Sequence, residues 1–301
     1  MGRLKTLFLV TRPWSFPFTV LVVTISGLLP LLSGEKVSWL LLALAAAGSV
    51  LLHAMVNVLN DYFDWKLGLD RPGVGTVEYR PHPVVHKILT PQGTFLFGLG
   101  SGLAGLALAA ITVYMGRPLA VLLGALGLLL AYAYSGWPFD MKYHGLGELG
   151  VYLAWGVLIP VGSYYMASGK ISLVPVLVLL PLGVGITGIL MANNIRDIES
   201  DRSAGIKTLQ VRLGFRRSVQ LFKATIYSMY ILGFVSAAVN KYLVIPALLA
   251  LATLPEARRV ARMFDSGQAP PDADPRVAML LQKYAMLYMV GVIISILLVR
   301  L

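Results

Sequence analysis

Two stretches of this chain place carboxamide and carboxylate side chains directly after long apolar runs. NVLNDYFDWKLG covers residues 57–68, and NNIRDIESDRSAG covers residues 193–205. At an offset of 137 residues, both read N-x2-[N/D]-x3-D-x3-G. The pattern aligns Asn57 with Asn194, Asn60 with Asp197, Asp64 with Asp201, and Gly68 with Gly205. Because acids at a helix C-terminus are unfavourable to the helix dipole, two copies in matching positions indicate a function.

The spacing within each copy suits the binding of a metal ion. Residues four apart on an α-helix lie on one face, one turn from each other. Asn60 and Asp64 therefore share a face, with Asn57 one turn earlier, and the second copy repeats the arrangement. Two such helices facing each other would present carboxylates and amide oxygens to one cavity. Hard oxygen ligands without histidine or cysteine suit Mg²⁺, which proteins commonly hold together with substrate phosphates.

Basic residues lie among the acids of both copies. Lys66 and Arg71 follow the first copy, while Arg196, Arg202 and Lys207 interleave with the second. Acids and bases on one rim fit a diphosphate bridged to a metal ion, because cationic side chains can bind the free phosphate oxygens. We therefore expect the two copies to bind one diphosphate together.

The composition places these motifs in a membrane protein. The chain is 57% hydrophobic and 13% charged, whereas a soluble domain is about 45–50% apolar and about 25% charged. We predict one all-α integral membrane domain over residues 1–301, with nine transmembrane helices around a central cavity and two related halves. The predicted spans are 14–33, 38–60, 94–116, 118–135, 145–167, 172–194, 216–239, 242–264 and 277–299.

The net charge of +11 could indicate nucleic-acid binding, but the positions of the bases favour a topological explanation. With the N-terminus inside, 18 Lys and Arg residues, Arg3 and Arg12 among them, lie on inside segments and 5 on outside ends. This asymmetry follows the positive-inside rule. We expect a lipid bilayer and no nucleic acid as partner. The motif-bearing loops 61–93 and 195–215 should form a cap and a site that face the cytoplasm.

Two further features concern packing rather than chemistry. HPVVH, from His82 to His86, could be read as a zinc site or as an ordered cap. Its prolines argue against a helix and the chain has no cysteine, so we favour the cap. Gly98, Gly102 and Gly105, spaced along the third predicted span, predict close packing of that helix against a neighbour.

The motifs, their spacing and the nine predicted spans resemble the UbiA-type intramembrane aromatic prenyltransferases over essentially the whole chain. NDYFDWKLGLD (60–70), YHGLGELGVYLAWG (143–156) and NNIRDIESDRSAGIKTLQVRLG (193–214) are most similar to the branch that prenylates 1,4-dihydroxy-2-naphthoate on the way to menaquinone. The resemblance implies metal-ligand roles for Asn60, Asp64, Asp197 and Asp201, with Asp61 as a neighbouring catalytic carboxylate. It also implies substrate or diphosphate roles for Arg12, Lys142 and Lys207, although the Lys142 position is often not basic in that branch.

The implied reaction is Mg²⁺-dependent transfer of a prenyl group from a diphosphate, such as geranylgeranyl diphosphate, to an aromatic acceptor. We expect Asn57, Asn194, Lys66, Arg71, Arg196 and Tyr134 to contribute to substrate binding. Aromatic faces could stabilise the allyl cation; the candidates are Tyr62, Trp65, Tyr132, Tyr134, Trp137, Phe139, Tyr152 and Trp155. Asp70 is a candidate base, and Lys142 a candidate cation for an acceptor carboxylate.

Two kinds of alternative remain open at this point. The same diphosphate chemistry could act on 4-hydroxybenzoate, a glyceryl-phosphate ether lipid, haem or a chlorin. A divalent-cation transporter would also need acids in a membrane, but it should distribute them through the membrane depth. The acids here cluster on one predicted face with bases among them, so we favour the enzyme.

The orientation can be tested by cysteine labelling, because the chain has no cysteine of its own. We predict that a Glu78→Cys variant in intact cells is protected from a membrane-impermeant thiol reagent, since the first motif loop should face the cytoplasm. An Arg117→Cys variant on the predicted outside should react. Labelling of position 78 from outside would contradict the predicted topology.

Overall fold

The chain folds into helices along its described length. The structure is a computed structural model that describes residues 2–73, 75–78 and 80–300, and the side chains of Arg3, Gly75 and Thr76 lie outside the described part. The α-helices are α1 Arg3–Val10, α2 Phe16–Leu28, α3 Trp39–Lys66, α4 Pro91–Ile111, α5 Leu119–Ala133, α6 Gly147–Tyr152, α7 Ile159–Ser168, α8 Val174–Arg196, α9 Ile198–Ser203, α10 Leu209–Gly233, α11 Val244–Ala250, α12 Leu254–Arg262 and α13 Ala273–Val299. The all-α prediction is confirmed for these residues.

Seven helical runs in the described part of the chain are long and apolar enough to cross a bilayer. They are Pro13–Ser33, Trp39–Lys66, Pro91–Met115, Gly147–Ser168, Val174–Arg196, Leu209–Ala238 and Ala273–Val299. The predicted span 118–135 appears as the shorter apolar helix α5. The predicted span 242–264 is divided between α11 and α12, and α12 carries the charges of Glu256, Arg258, Arg259 and Arg262. The count of nine spans therefore stays a prediction.

The two motifs end their helices in the same way. Gly68 and Gly205 both adopt a left-handed conformation, with φ of 75° and 76°. In the first copy, the Leu69 N–H donates to the Asp64 carbonyl at 2.9 Å, and in the second copy the Ile206 N–H donates to the Asp201 carbonyl at 2.9 Å. This is the Schellman turn that glycine permits after a helix. The repeat read from sequence is thus a repeat of backbone structure that places Asp64 and Asp201 equivalently.

Close packing of α3 against α4 holds the first motif in place, and α8 packs in a similar way against α10. Gly98, Gly102 and Gly105 of α4 are all buried. At Gly105 a Cβ atom would lie only 3.0 Å from the carbonyl oxygen of Gly48 on α3. The predicted role of these glycines in close helix packing is confirmed, since small residues let two backbones approach within a membrane.

We predict that Gly105→Leu destabilises the fold. The new side chain would meet the Gly48 carbonyl and the Leu51 Cβ, the latter at 3.4 Å from the first added carbon. Overpacking of this kind costs about 1–3 kcal/mol. Gly100→Leu on the same helix is the control, because a Cβ there meets nothing within 4 Å. Thermal unfolding in detergent should show a lower midpoint for the first variant only, and equal midpoints would contradict the packing.

Candidate active site

A cavity of about 510 Å³ lies between α2, α3, α5, the α6–α7 segment, α8 and α13. One face of α3 contributes Ser49, Leu52, His53, Val56, Asn57 and Asn60 to its wall. Arg12, Lys142 and Asp274 lie at the end where the motifs meet. Farther from the motifs, the wall is mostly aliphatic and aromatic, as at Phe18 and Ile186. The cavity thus has one charged end and one apolar end, as an amphipathic ligand requires.

The first motif holds the ammonium group of Lys142 at the charged end. Asn60 Nδ2 donates to Asp64 Oδ2 at 2.7 Å, so the predicted pair on one helix face forms. Lys142 Nζ donates to Asn60 Oδ1 at 3.0 Å and to the two Asp64 oxygens at 2.9 and 2.6 Å. The Tyr143 hydroxyl donates to Asp64 Oδ1 at 2.8 Å. Burial alone would lower the pKa of Lys142, but Asp64 raises it above the usual range for lysine.

The second motif approaches the same lysine through Asp201. The Thr208 hydroxyl donates to Asp201 Oδ2 at 3.4 Å. Burial raises the pKa of Asp201 to about 6, the charge of Lys142 opposes this rise, and the charges of Asp197 and Asp64 add to it. Charges influence a pKa this way only at short range. Asp201 of the second motif therefore lies within electrostatic range of Lys142 and Asp64.

Arg196 links the second motif to the last helix. Its guanidinium donates to both Asp197 oxygens at 2.8 Å and also pairs with Asp274 at the start of α13. Asp274 lines the cavity, whereas Arg196 and Asp197 are not among its lining residues. Arg196, predicted to bind substrate, is thus engaged by two carboxylates.

Asp61 lies off the face that Asn60 and Asp64 share, and its catalytic role stays a prediction. Successive residues of a helix differ in direction by about 100°. Asp61 is fully buried, and its carboxylate accepts two hydrogen bonds of 2.8 Å from Arg80. Arg12 pairs with the same carboxylate and lines the cavity. These ion pairs hold Arg12 and Arg80 against α3.

Four other predicted binding residues lie away from the cavity wall. Three of them are exposed bases, namely Lys66, Arg71 and Lys207. Asn194 is buried, and its Nδ2 donates to Glu148 at 3.2 Å and to Gln210 at 3.1 Å. Although the repeat aligns Asn194 with Asn57, its amide joins α8 to α6 and α10, so the structure places it in helix packing.

Two of the eight predicted wall aromatics, Tyr134 and Trp155, line the cavity. The described wall does not include the other six, which are Tyr62, Trp65, Tyr132, Trp137, Phe139 and Tyr152. Trp14 and Phe18, which precede the first motif by many residues, line it instead. Helix periodicity within one segment could not reveal which aromatic rings from distant segments meet at the cavity.

The segment after Arg80 folds against the end of α3 through His82. This histidine is fully buried, its Nδ1 accepts two backbone N–H groups, and its Nε2 lies 3.1 Å from Asp70 Oδ2. Ligand atoms of Asp61, Asp70 and His82 lie within 4.8 Å of one another. Because two arginines already neutralise Asp61, the cluster is an ion-pair network. The described residues of this segment do not line the cavity, so a cap over the cavity stays a prediction.

Several wall residues have no counterpart in the sequence predictions. Ser15 and His53 line the cavity next to Asn57, and Asp274 and Gln282 enter it from α13. His53 lies four residues before Asn57, on the same helix face. This spacing could have identified His53 as a wall residue from the sequence. Ser15, Asp274 and Gln282 offered no such signal in the sequence, since only the packing of distant segments brings them to α3.

Comparison with known proteins decides the family. Residues 20–272 match the UbiA prenyltransferase family. The chain belongs to this family. Prenyl transfer is accordingly its class of activity, and the family resemblance seen in the motifs is confirmed.

Relatives from animals and structures from archaea extend the match over the chain. UbiA prenyltransferase domain-containing protein 1 of Homo sapiens is 30% identical over 291 residues, which cover 95% of this chain and 83% of the relative. The protein of the same name from Xenopus tropicalis is 28% identical, covering 97% and 83%. A UbiA homolog from Archaeoglobus fulgidus bound to GPP and Mg²⁺ has a TM-score of 0.72 at 15% identity, covering 98% and 100%. At that identity the likeness concerns the fold, and these similarities do not select the naphthoate branch.

The oxygens around Lys142 have the character of a divalent-cation site. They already surround a positive charge, since the ammonium group lies within 3.0 Å of Asn60 Oδ1 and both Asp64 oxygens. Asp201 adds a carboxylate from the second motif, and Asp197 lies in the same motif. A set of carboxylate and amide oxygens suits a hard cation such as Mg²⁺. The residues present therefore fit the ion that the motifs predict.

We predict that divalent-cation binding weakens below about pH 6. Burial raises the pKa of Asp201 to about 6, so the protonated carboxyl predominates below that pH and competes with the cation. Affinity should fall up to about tenfold for each further pH unit and level off above about pH 7. Mn²⁺ binding to the purified protein, followed by electron paramagnetic resonance, measures this.

The control for this titration is Asp201→Asn. The variant should bind Mn²⁺ more weakly at every pH and should lose the step near pH 6, because the amide does not titrate. Wild-type affinity that stays constant between about pH 5 and about pH 7 would contradict a role for Asp201 as a ligand.

Proposed function

We propose that this protein transfers a prenyl group from a prenyl diphosphate to an aromatic acceptor within the membrane, with Mg²⁺ as cofactor. The observation that carries the proposal is the cavity of about 510 Å³, whose charged end lies at the two motifs and whose remaining wall is mostly apolar. A prenyl diphosphate has the same division into a charged head and an apolar tail. The bound GPP and Mg²⁺ of the Archaeoglobus fulgidus homolog support it.

Asn60, Asp64, Asp197 and Asp201 are the proposed ligands of the cation. When bound, Mg²⁺ would withdraw negative charge from the diphosphate as the bond to the allylic carbon breaks. The protein side chains orient the diphosphate and exclude water from the allylic carbon. The active site then lies at the cytoplasmic side of the bilayer, as the distribution of bases suggests.

Lys142 is proposed to bind the diphosphate rather than an acceptor carboxylate. Its ammonium group lies on Asn60 and Asp64, 2.6 Å from Asp64 Oδ2. A cation so close to the proposed metal ligands is placed to bind the oxygens of the leaving diphosphate. Such charge-assisted contacts contribute about 1.5–3 kcal/mol.

Arg12 is the second proposed contact of the diphosphate. One of its terminal nitrogens pairs with Asp61, and its Nε is buried without a hydrogen-bond partner. Arg12 also lines the cavity. A buried N–H group without a partner is costly, and an anionic oxygen of the substrate would satisfy it.

The prenyl chain would lie along the apolar wall. A second cavity of about 100 Å³ adjoins the first, and both share Ser49, Leu52, Gly127, Leu158 and Ile159. The other residues along it are mostly aliphatic, with glycines at 48, 105, 124 and 162. The two spaces together accommodate a chain longer than the first cavity alone, which fits geranylgeranyl diphosphate.

The proposed acceptor is 1,4-dihydroxy-2-naphthoate, on the resemblance of residues 60–70, 143–156 and 193–214 to that branch. The acceptor ring would enter beside the allylic carbon, near Tyr134 and Trp155 of the wall. Attack by the electron-rich ring forms the new carbon–carbon bond, and loss of the carboxylate as carbon dioxide restores aromaticity.

We predict that purified protein transfers the radiolabelled group of geranylgeranyl diphosphate to 1,4-dihydroxy-2-naphthoate when Mg²⁺ is present. The product should carry no carboxylate, which mass spectrometry can establish. Asp64→Asn should reduce the rate about a hundredfold or more, since it removes an anionic ligand. Glu199→Gln, an exposed acid in the second motif, should not change the rate.

The acceptor panel separates the parts of the proposal. Prenylation of 4-hydroxybenzoate or of a glyceryl-phosphate ether lipid instead of the naphthoate would contradict the proposed acceptor. It would not contradict prenyl transfer as the class of reaction. Full turnover in excess chelator would overturn the role of Mg²⁺.

A further inference from the structure

A chain of hydrogen bonds lies in the cavity wall one turn below the proposed metal ligands. His53, buried on α3, contacts Thr19 Oγ1 through Nδ1 at 2.8 Å and Ser15 Oγ through Nε2 at 3.2 Å. Asn57 Nδ2 donates to the same Ser15 oxygen at 3.2 Å, and Trp155 Nε1 donates to Thr19 Oγ1 at 3.2 Å. None of the roles described so far uses His53.

The direction of each hydrogen bond that joins Ser15, His53 and Thr19 can be assigned. Ser15 donates its single hydrogen to the Arg12 carbonyl at 2.8 Å, so its oxygen accepts from both Asn57 and His53. His53 therefore carries its proton on Nε2, and its Nδ1 accepts the hydrogen of Thr19. Thr19 in turn accepts the indole N–H of Trp155. His53 is thus a neutral imidazole in a single tautomer, with both nitrogens engaged.

The same series of hydrogen bonds fixes the orientation of the Asn57 amide. Besides Ser15, Asn57 Nδ2 donates to the Thr11 carbonyl at 2.9 Å, and a carbonyl can only accept. Both amide hydrogens are therefore committed inside the wall. Asn57 Oδ1 has no hydrogen-bond partner among the described residues, and Asn57 lines the cavity. The wall thus offers the cavity an oriented oxygen that can only accept a hydrogen bond.

We propose that Asn57 Oδ1 binds a hydroxyl group of the aromatic acceptor and that His53 acts as a positioning residue by holding the Asn57 amide through Ser15. The proposal rests on the proposed function and deepens it by naming the acceptor class. Asn57 lies three residues before Asn60, so the two side chains are neighbours, about 5–6 Å apart between their Cβ atoms. A hydroxyl on Asn57 would therefore place the acceptor ring beside the allylic carbon of a prenyl diphosphate whose head group lies at Asn60.

Because Asn57 Oδ1 can only accept a hydrogen bond, it selects for a ligand that carries a hydrogen-bond donor. The class of acceptor is accordingly a hydroxyarene with its hydroxyl next to the reacting carbon, and a methyl ether at that hydroxyl should be discriminated against. A site whose buried polar group is left unpaired rejects the analogue that lacks the donor. The rest of the ring can pack against Trp155, which the same network holds in place.

The test compares KM for the acceptor with KM for the prenyl diphosphate in purified variants. Asn57→Ala and His53→Ala should each raise KM for 1,4-dihydroxy-2-naphthoate about tenfold, the loss of one hydrogen bond of about 1.4 kcal/mol, with KM for geranylgeranyl diphosphate unchanged. His53→Gln keeps an N–H donor toward Ser15 and should restore most of the affinity. Wild-type preference for the free hydroxyl over its methyl ether should disappear in Asn57→Ala.

The control variant is Tyr288→Phe. It removes a buried hydrogen bond of 2.8 Å to the Val178 carbonyl, away from the cavity wall. It should lower the thermal midpoint without changing either KM, which separates acceptor binding from general loss of structure.

The possible failures are distinguishable. Unchanged acceptor KM in both alanine variants, or equal rises in both KM values, would overturn this inference and leave the proposed function. The wild-type protein could instead prenylate no hydroxyarene and transfer the group to a glyceryl-phosphate ether lipid or to none of the panel. That result would overturn both this inference and the proposed transfer to an aromatic acceptor.

Discussion

Carboxylates buried at the ends of membrane helices require a cation beside them, and this requirement organises the charged end of the cavity. Lys142 neutralises Asp64, Arg196 neutralises Asp197, and two arginines neutralise Asp61. The pairs of Asp64 and Asp61 join segments that are distant in sequence, and Arg196 also pairs with Asp274, which links the second motif to α13. The same charges that stabilise the fold can therefore exchange partners with a divalent cation and a diphosphate, so structure and proposed chemistry depend on one set of ion pairs.

The α3 helix arranges the proposed functions in order along one face. Asn60 lies at the proposed metal ligands, Asn57 one turn deeper at the proposed acceptor hydroxyl, and Ser49 deeper still where the two cavities join. With a rise of about 1.5 Å per residue, the face from Ser49 to Asn60 spans about 16 Å. Glycines on α4 let the helices pack closely enough to hold this face rigid. The proposal thus gives the head group, the acceptor and the prenyl chain separate positions in one cavity.

Local rules predicted the parts of the site that lie within one helix. The pairing of Asn60 with Asp64 follows from the helical repeat, and the stops at Gly68 and Gly205 follow from the freedom of glycine. The same repeat shows that Asp61, one residue after Asn60, lies off the shared face.

Contacts between distant segments could not be read from spacing. The engagement of Arg196 by Asp274, of Asn194 by Gln210 and of His53 by Ser15 depends on how helices pack. Exposed bases such as Arg71 follow the motif in sequence but lie outside the wall because α3 has already ended at Lys66. Both halves of the chain are proposed to form one centre for the cation and the diphosphate. A double-mutant cycle on Mn²⁺ binding, measured with an unreactive prenyl thiodiphosphate present, tests it most directly. If one centre exists, the losses in Asp64→Asn and Asp201→Asn should be non-additive by about 1 kcal/mol or more in the double variant; strictly additive losses would contradict it.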